Sequence, residues 1–171
     1  MKHVGSLIAA FALTGMATGQ TALMDQIGSM DGASVDANTT GSQYFEADYA
    51  TYSLATLDNF TLASPNTIGA VEAVIDGWNN FVDPSGITSY QANIYTSPTA
   101  ASLELIGDVD SVTVDAADAE LIADWQGSGY LVSMQTAMYL QPGDYWVSVI
   151  PRNDYATNGQ TGLNGSLIGD G

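Results

Sequence analysis

The sequence predicts an all-β protein, an antiparallel β-sandwich of the jelly-roll type that follows a cleaved N-terminal leader. Short runs in which apolar and polar residues alternate recur along the chain, and Gly, Pro and Asn separate them. No stretch carries a sustained apolar stripe with the period of a helix. A length of 171 residues fits one domain, and a hydrophobic content of 46% argues against intrinsic disorder.

The first 19 residues have the layout of a secretory signal peptide. Lys2 and His3 precede an apolar run over 4–16, and the small residues at 17–19 supply a cleavage site. The apolar run is too short to span a bilayer, and the alternative interpretation is a buried N-terminal helix. We therefore expect cleavage near Gly19 and a secreted, extracellular or cell-surface protein.

The charged residues exclude most enzyme classes. Nineteen acidic residues face two basic ones, the formal net charge is −17, and there is no cysteine. Cleavage of the leader would leave Arg152 as the only basic side chain and would remove the only histidine. No imidazole, thiol or lysine amine would then remain for nucleophilic or Schiff-base catalysis. Only carboxylate or metal chemistry is left, and we predict a protein without enzymatic activity.

The same charge excludes two classes of partner. Nucleic acids are bound through a basic surface, because phosphate neutralisation supplies most of the affinity. Anionic membrane surfaces attract basic segments in the same way. We expect neither partner for this acidic chain.

Residues 20–42 are rich in Gly, Ser, Asp and Thr and predict an irregular lead-in with room for one short strand, whereas 43–171 predict a single sandwich domain. Alternating runs bounded by turn residues predict further strands. In chain order these runs cover 44–54, 57–62, 68–78, 89–96, 103–114 and 130–140.

Residues 145–150 are apolar except for Ser148 and place apolar side chains on both faces of a strand. This pattern predicts a central strand that is covered on both faces, ends at Pro151 and places Trp146 in the core. Residues 115–125 contain several alanines and predict a short helix or turn.

Beyond Arg152 the chain is rich in Asn and Gly and predicts no closing strand. The domain therefore looks incomplete at its C-terminal end. We expect the natural polypeptide to continue past Gly171.

Five segments carry a family resemblance. They are 25–28 (DQIG), 57–62 (LDNFTL), 94–98 (IYTSP), 142–149 (PGDYWVSV) and 158–162 (NGQTG). Together they resemble uncharacterised secreted proteins of planctomycete-like bacteria, which often carry C-terminal sorting or dockerin-type segments. The resemblance implies secretion, a jelly-roll-like β-sandwich and attachment to a surface, and it carries over no catalytic residue. The sequence departs from that family because it has no recognisable anchor.

The densest acidic segment contains the candidate metal ligands Asp108 and Asp110. Their spacing begins like a calcium loop, because calcium takes several oxygen ligands at close quarters. Val112 and Thr113 then stand where an EF-hand needs an oxygen ligand and a glycine. Calcium is therefore a weak candidate cofactor, and a solvated acidic face is the alternative.

Trp78 and Trp125 are the candidate ligand-binding residues. Both adjoin polar turn residues, and a flat indole ring is the surface on which a pyranose stacks. The alternative is that all three tryptophans fill the core. Extracellular polysaccharides or cell-surface components would be the partners.

A glycoside hydrolase would need two opposed carboxyl groups, one of them with a raised pKa. Glu72 is the nearest candidate, although alternation could place it on the wet face of its strand.

The sequence thus favours a secreted, non-catalytic extracellular or cell-surface module with a structural, adhesion or scaffold role. A carbohydrate-binding module, assisted by calcium, is the first alternative. A carboxylate-dependent glycoside hydrolase is the second.

Overall fold

Two antiparallel sheets pack face to face in the computed structural model, which describes residues 22–103 and 105–168. The predicted all-β sandwich is thereby confirmed. The predicted signal peptide over 1–19 and the C-terminal Gly171 lie outside the described residues.

The described residues form nine strands and two short helices. The strands are β1 Val35–Gly41, β2 Asp58–Leu62, β3 Asn66–Trp78, β4 Ile87–Tyr95, β5 Asp110–Asp115, β6 Glu120–Asp124, β7 Tyr130–Leu140, β8 Gly143–Asn153 and β9 Gln160–Ser166. The helices are α1 Pro98–Leu103 and α2 Tyr155–Asn158. Two 3₁₀ turns cover Ala47–Tyr52 and Pro84–Gly86.

One sheet has five strands in the order β1-β9-β3-β7-β6, and the other has four in the order β2-β8-β4-β5. All pairings between named strands are antiparallel. β5 and β6 are edge strands of different sheets and follow each other in the chain. The turn over 116–119 therefore crosses from one sheet to the other.

The main core lies between the sheets. Alternate residues of β3, among them Val71, Ala73 and Ile75, face Ala92 and Ile94 of β4, and none of these side chains reaches solvent. Burying an aliphatic side chain of this size contributes about 1.5–3 kcal/mol. This apolar layer fixes the register of both sheets, because a slip of one residue would turn it outward.

A second apolar cluster covers the outer face of the five-stranded sheet. Val74 and Leu131 pack there against Ile27 and Val35 from the N-terminal segment. Glu72 alternates with the core residues of β3 and shares this outer face, yet only 1% of it is exposed. The alternative that Glu72 lies on a solvent-exposed face of its strand is therefore wrong.

The predicted positions of two strands and the predicted central place of a third are confirmed. β3 and β7 occupy the predicted runs, and β8 is a central strand between β2 and β4. Trp146, however, is half-buried and alternates with Val147, which faces the core. The indole therefore lies on the outer face of the four-stranded sheet, and its predicted core position is wrong.

Two segments differ from the predicted secondary structure. The predicted helix or turn over 115–125 is a turn followed by β6. Glu120 and Asp124 pair with Ser133 and Tyr130 of β7, and this tertiary pairing outweighs the helix preference of the alanines. The predicted strand over 44–54 is instead a 3₁₀ turn, whose ends are joined by the bridge between Gln43 and Leu54 and by the hydrogen bond from Phe45 N to the Ser53 hydroxyl.

The strand before Pro151 does not end there, since β8 continues to Asn153. The carbonyl oxygen of Pro151 accepts a hydrogen bond from the backbone N–H of Tyr44. The N–H and C=O of a strand residue point to the same side, so the missing N–H of proline faces Tyr44 and not β4. The pairing of β8 with β4 is therefore preserved.

The Asn- and Gly-rich C-terminal segment contains a closing strand after all. β9 lies between β1 and β3, and β1 itself comes from residues 20–42, the predicted lead-in. The polar side chains of β9 are satisfied inside the fold: Asn164 donates to Ser128 O, and the Thr161 hydroxyl donates to Ser42 O. Hydrogen bonding by these polar side chains therefore supports the strand beside the one core residue, Leu163.

Candidate functional site

The structure gives Trp78 and Trp125 different surroundings. Trp125 packs against the second apolar cluster, and its Nε1 donates to Met30 O at 3.1 Å. Trp78 ends β3, and its ring lies beside Gly41. Both rings are half-buried, so each presents only part of its surface to solvent.

Asp108 and Asp110 anchor the connection between β4 and β5. Oδ1 of Asp108 accepts the backbone N–H of Thr96 at 2.9 Å, and Oδ2 accepts the Thr96 hydroxyl at 2.6 Å. The hydrogen bond from the Thr96 hydroxyl is the main cause that lowers the pKa of Asp108, and it outweighs the opposite effect of desolvation. Asp110 accepts the backbone N–H of Ser111 at 2.8 Å. Within the described residues, no group of three or more Asp, Glu, His or Cys side chains could hold a metal ion.

Many other carboxylates also accept backbone N–H groups. The acidic residues that accept a backbone N–H close by in the chain are Asp25, Asp31, Asp36, Asp58, Asp76, Asp83, Asp110, Asp124 and Asp154. In loops such bonds hold the chain in local turns, which is the ordinary use of aspartate there. Asp25, Asp31, Asp83 and Asp154 have this role, whereas the other five lie within strands.

A polar network lies on the outer face of the four-stranded sheet. Asn93 is fully buried there, and its Oδ1 accepts from Gln91 Nε2, the Ser111 hydroxyl and Gly107 N. Its Nδ2 donates to the Ser148 hydroxyl at 3.1 Å. The amide is therefore satisfied by side chains from three strands and by a backbone N–H from a loop.

A groove opens where the chain passes from one sheet to the other. It has a volume of about 590 Å³ and lies between β4 on one side and β6 and β7 on the other. Its lining consists of Asp83, Pro84, Ser85, Ile87, Tyr90, Ala116, Ala117, Ala119, Leu121, Asp124, Tyr130 and Val132. A volume of this size is within the range of small-molecule sites.

The floor of the groove is continuous with the main core. Ile87, Tyr90 and Val132 are buried core residues, and Ala116 and Ala119 pack against them from the turn that joins the sheets. Leu121 stands at the side of the groove with 55% of its surface exposed. The interior is thus mostly apolar.

The rim carries two carboxylates. Asp83 Oδ1 accepts the backbone N–H of Ser85 at 2.8 Å, and Asp124 Oδ1 accepts that of Gln126 at 2.9 Å. Hydrogen bonding by Ser85, through its side chain first and its backbone second, lowers the pKa of Asp83. Asp83 is therefore ionised at neutral pH.

Tyr130 lies in the electrostatic field of these carboxylates. Its hydroxyl donates to Val82 O at 2.9 Å. Desolvation raises the pKa of Tyr130, and the negative charges of Asp124, Asp83 and Asp76 raise it further, in that order. The groove thus has a negative potential at this end.

Tyr90 is the most unusual residue of the groove. Only 3% of it is exposed, burial raises its pKa to about 12, and its hydroxyl makes no hydrogen bond with the described part of the chain. Among the described residues, the one sealed side-chain polar atom without a partner is Asn153 Oδ1. The Tyr90 hydroxyl is therefore not sealed, and the open space that Tyr90 lines is the groove.

Sequence reasoning missed this groove because its residues are spread from 83 to 132 over several elements. The available signal was Tyr90 itself, which alternates with Ala92 and Ile94 on the inward face of β4. An inward tyrosine needs a partner for its hydroxyl.

Comparison of the chain with protein-family models, curated proteins and solved structures gives no match. Among the described residues, no helix combines the length and the apolar character needed to cross a membrane.

Proposed function

We propose that the chain is a non-catalytic binding module of an exported protein and that a small ligand occupies the groove between its sheets. The groove itself carries this proposal, because it combines an apolar floor with a few polar groups at the rim, which is the composition of small-ligand sites. The leader that the sequence predicts over 1–19 supports a secreted or cell-surface location. Resemblance to secreted planctomycete-like proteins supports the same location.

Binding is favoured over glycoside hydrolysis by the state of the carboxyl groups. A hydrolase of that kind needs an acid whose pKa is raised, whereas the pKa of Asp83 is lowered. Glu72 lies on the opposite face of its sheet from Ala73 and Val132, so its carboxyl group points away from the groove. Neither residue is placed to protonate a glycosidic oxygen inside the groove.

A screen of small neutral and charged organic fragments by ligand-observed NMR tests the proposal. Ala117 lines the groove and is exposed, so Ala117→Trp places an indole over the opening with little effect on the core. Exposed Ala50, in a 3₁₀ turn outside the groove, provides the matched control Ala50→Trp. We expect fragment binding that Ala117→Trp abolishes and Ala50→Trp preserves. Hits that survive Ala117→Trp, or a complete lack of hits, would reject the groove as a binding site.

Carbohydrate binding is the second candidate function. The half-buried Trp146 pairs with exposed Asn59 of the neighbouring strand, on the outer face of the four-stranded sheet. An indole ring on which a sugar can stack, beside an amide that can bind its hydroxyl groups, is a suitable surface for a carbohydrate. A glycan array with the protein and with Trp146→Ala, Trp78→Ala and Trp125→Ala tests it, in calcium and in chelator. Polysaccharide binding that one of these variants removes would favour this candidate over the groove.

A further inference from the structure

We propose that the ligand of the groove is a compact organic ammonium cation with an apolar body. This inference rests on the proposed function, namely that the groove is a binding site. Three features carry it: the two rim carboxylates, the apolar floor and the buried hydroxyl of Tyr90, which has no partner in the described chain.

The rim selects positive charge. Asp83 and Asp124 line the groove, and Asp76 is close enough to act on the same tyrosine. The chain as a whole has a formal net charge of −17, so its long-range field attracts cations and repels anions. An anionic ligand would meet repulsion both on approach and at the rim.

The polar atoms of the groove are mainly acceptors. Carboxylates only accept hydrogen bonds, and the Tyr130 hydroxyl already gives its proton to Val82 O, so its oxygen remains an acceptor. The Tyr90 oxygen is also free to accept. A ligand that fits these atoms must bring donors, and an ammonium group brings up to three with a positive charge.

Tyr90 is the observation independent of the acidic rim. Its hydroxyl has no partner in the described chain and opens into the groove, so water there would pair with it until a donor on the ligand took that place. Its ring also forms part of the floor with Ile87 and Val132, so the donor and the apolar body of a ligand would meet at the same residue.

The apolar floor and the exposed side chain of Leu121 require that the ligand also has an apolar group. Leu121 exposes 55% of its surface beside the groove, and a ring or short alkyl group would cover it. A bare metal ion would leave this surface uncovered. It would also lack ligands, since no metal-holding group occurs among residues 22–103 and 105–168.

Three probes share a phenylethyl body and differ in charge: 2-phenylethylammonium, the neutral 2-phenylethanol of the same size and the slightly larger anion 3-phenylpropanoate. Isothermal titration at neutral pH and low salt measures the affinity of each for the purified protein. We expect the cation to bind at least tenfold more tightly than the alcohol and the anion not to bind. Equal affinities for the cation and the alcohol would overturn the proposed preference for a cation but would leave the groove as a binding site. Cation binding that Ala117→Trp does not weaken would reject the groove itself, and with it the proposed function.

Substitution of the rim tests the carboxylates directly. In the double variant Asp83→Asn with Asp124→Asn, each side chain keeps an oxygen that can accept the N–H of Ser85 or Gln126. We expect a loss of tenfold or more in affinity for the cation and less than twofold for the alcohol.

The matched control is Asp36→Asn with Asp108→Asn. These residues also accept a backbone N–H, lie outside the groove lining, and change the net charge equally. An equal loss in both double variants would mean general electrostatic attraction and would overturn the site.

Tyr90→Phe removes only the hydroxyl and should weaken cation binding about tenfold or more, a factor typical of one hydrogen bond to a charged group. Thermal unfolding checks that the variant is folded. If Tyr90→Phe binds the cation as tightly as the original protein, the hydroxyl has no role. If this variant does not fold, the rim variants alone decide the proposal.

Discussion

The hydroxyl of Tyr130 lies 2.9 Å from the carbonyl oxygen of Val82 and donates a hydrogen bond to it. Tyr130 begins β7 in the five-stranded sheet, whereas Val82 belongs to the loop that leads into β4 of the other sheet. The ring of Phe81 meets the Tyr130 ring edge-on at 6.4 Å and strengthens the same contact. The loop that carries Asp83 is therefore held against β7, and the shape of the rim depends on this contact.

Tyr130→Phe should loosen the rim. The change removes the hydrogen bond to Val82 and should lower the free energy of unfolding by about 1 kcal/mol. Because the loop would no longer hold Asp83 in place, the affinity for the phenylethylammonium probe should also fall severalfold. Urea denaturation and isothermal titration measure the two effects. Tyr139→Phe, at a residue that is 61% exposed, should change neither quantity, and equal effects of the two variants would contradict the assignment.

Alkaline pH should unfold the protein through its buried phenols. Burial raises the pKa values of Tyr90 and Tyr95 to about 12, from an ordinary value of 10.0. Between these values the folded state keeps both protons while the unfolded chain loses them, so unfolding becomes easier as pH rises. The stability is complete below pH 10, and each phenol should account for a loss of about 2 kcal/mol near pH 12.

Urea denaturation across this pH window checks the prediction. Tyr90→Phe should reduce the pH dependence of the unfolding free energy, because one buried phenol is gone. Tyr139→Phe serves as the control, since its ring is exposed. A pH dependence that both variants share with the original protein would show that Tyr90 titrates normally in the fold.

Loss of the buried amide of Asn93 should be costly. Asn93→Ala removes the hydrogen bonds that the amide makes with Gln91, Ser111 and Ser148, and it also opens a cavity. We expect a decrease of about 3 kcal/mol in the free energy of unfolding.

Asn59→Ala is the matched control, because Asn59 is exposed on the edge strand of the same sheet. Its substitution should cost less than about 0.5 kcal/mol. Guanidinium denaturation of both variants measures the difference, and similar values would mean that the network contributes little.

The strands that could be predicted are those whose burial appears as a pattern. β7 alternates and β8 is apolar on both faces, so both are evident from the chain alone. β9 could not be recognised in this way, because Asn164 and Thr161 are buried by hydrogen bonding to residues distant in sequence. The groove was hidden for a related reason: Asp83 and Asp124 become neighbours of Tyr130 only after the sheets have formed.

Two glycines with positive φ should differ sharply in their tolerance of a side chain. Gly159 has φ +77°, and a Cβ there would collide with backbone atoms of Phe81 and Asn79. Gly127 has φ +107°, and a Cβ there would meet nothing within 4 Å. Gly127→Ala should therefore cost only the conformational strain, about 1–2 kcal/mol. Gly159→Ala should add overpacking and cost about 3 kcal/mol or more. Thermal unfolding of both variants measures the costs, and equal values would contradict the close packing at Gly159.

The edge strands of both sheets depend on negative charge for protection against pairing with other molecules. β5 and β6 are edge strands, and they carry Asp115 and Glu120 in exposed positions. Lysine, the usual edge residue, occurs in the chain only at Lys2. As the pH falls toward the isoelectric point near 4.1, the carboxylates gain protons and the repulsion between molecules weakens. Light scattering should therefore rise in that range.

The position of the charge, and not only its amount, should matter. Asp115→Asn with Glu120→Gln neutralises two edges and should move the onset of scattering to higher pH. Asp48→Asn with Asp118→Asn removes the same charge from exposed turn positions outside the strands and should move it less. If the two double variants aggregate at the same pH, net charge alone governs solubility. If the original protein stays clear down to its isoelectric point, its unpaired strand edges are protected by something other than carboxylates, because those would by then be largely protonated.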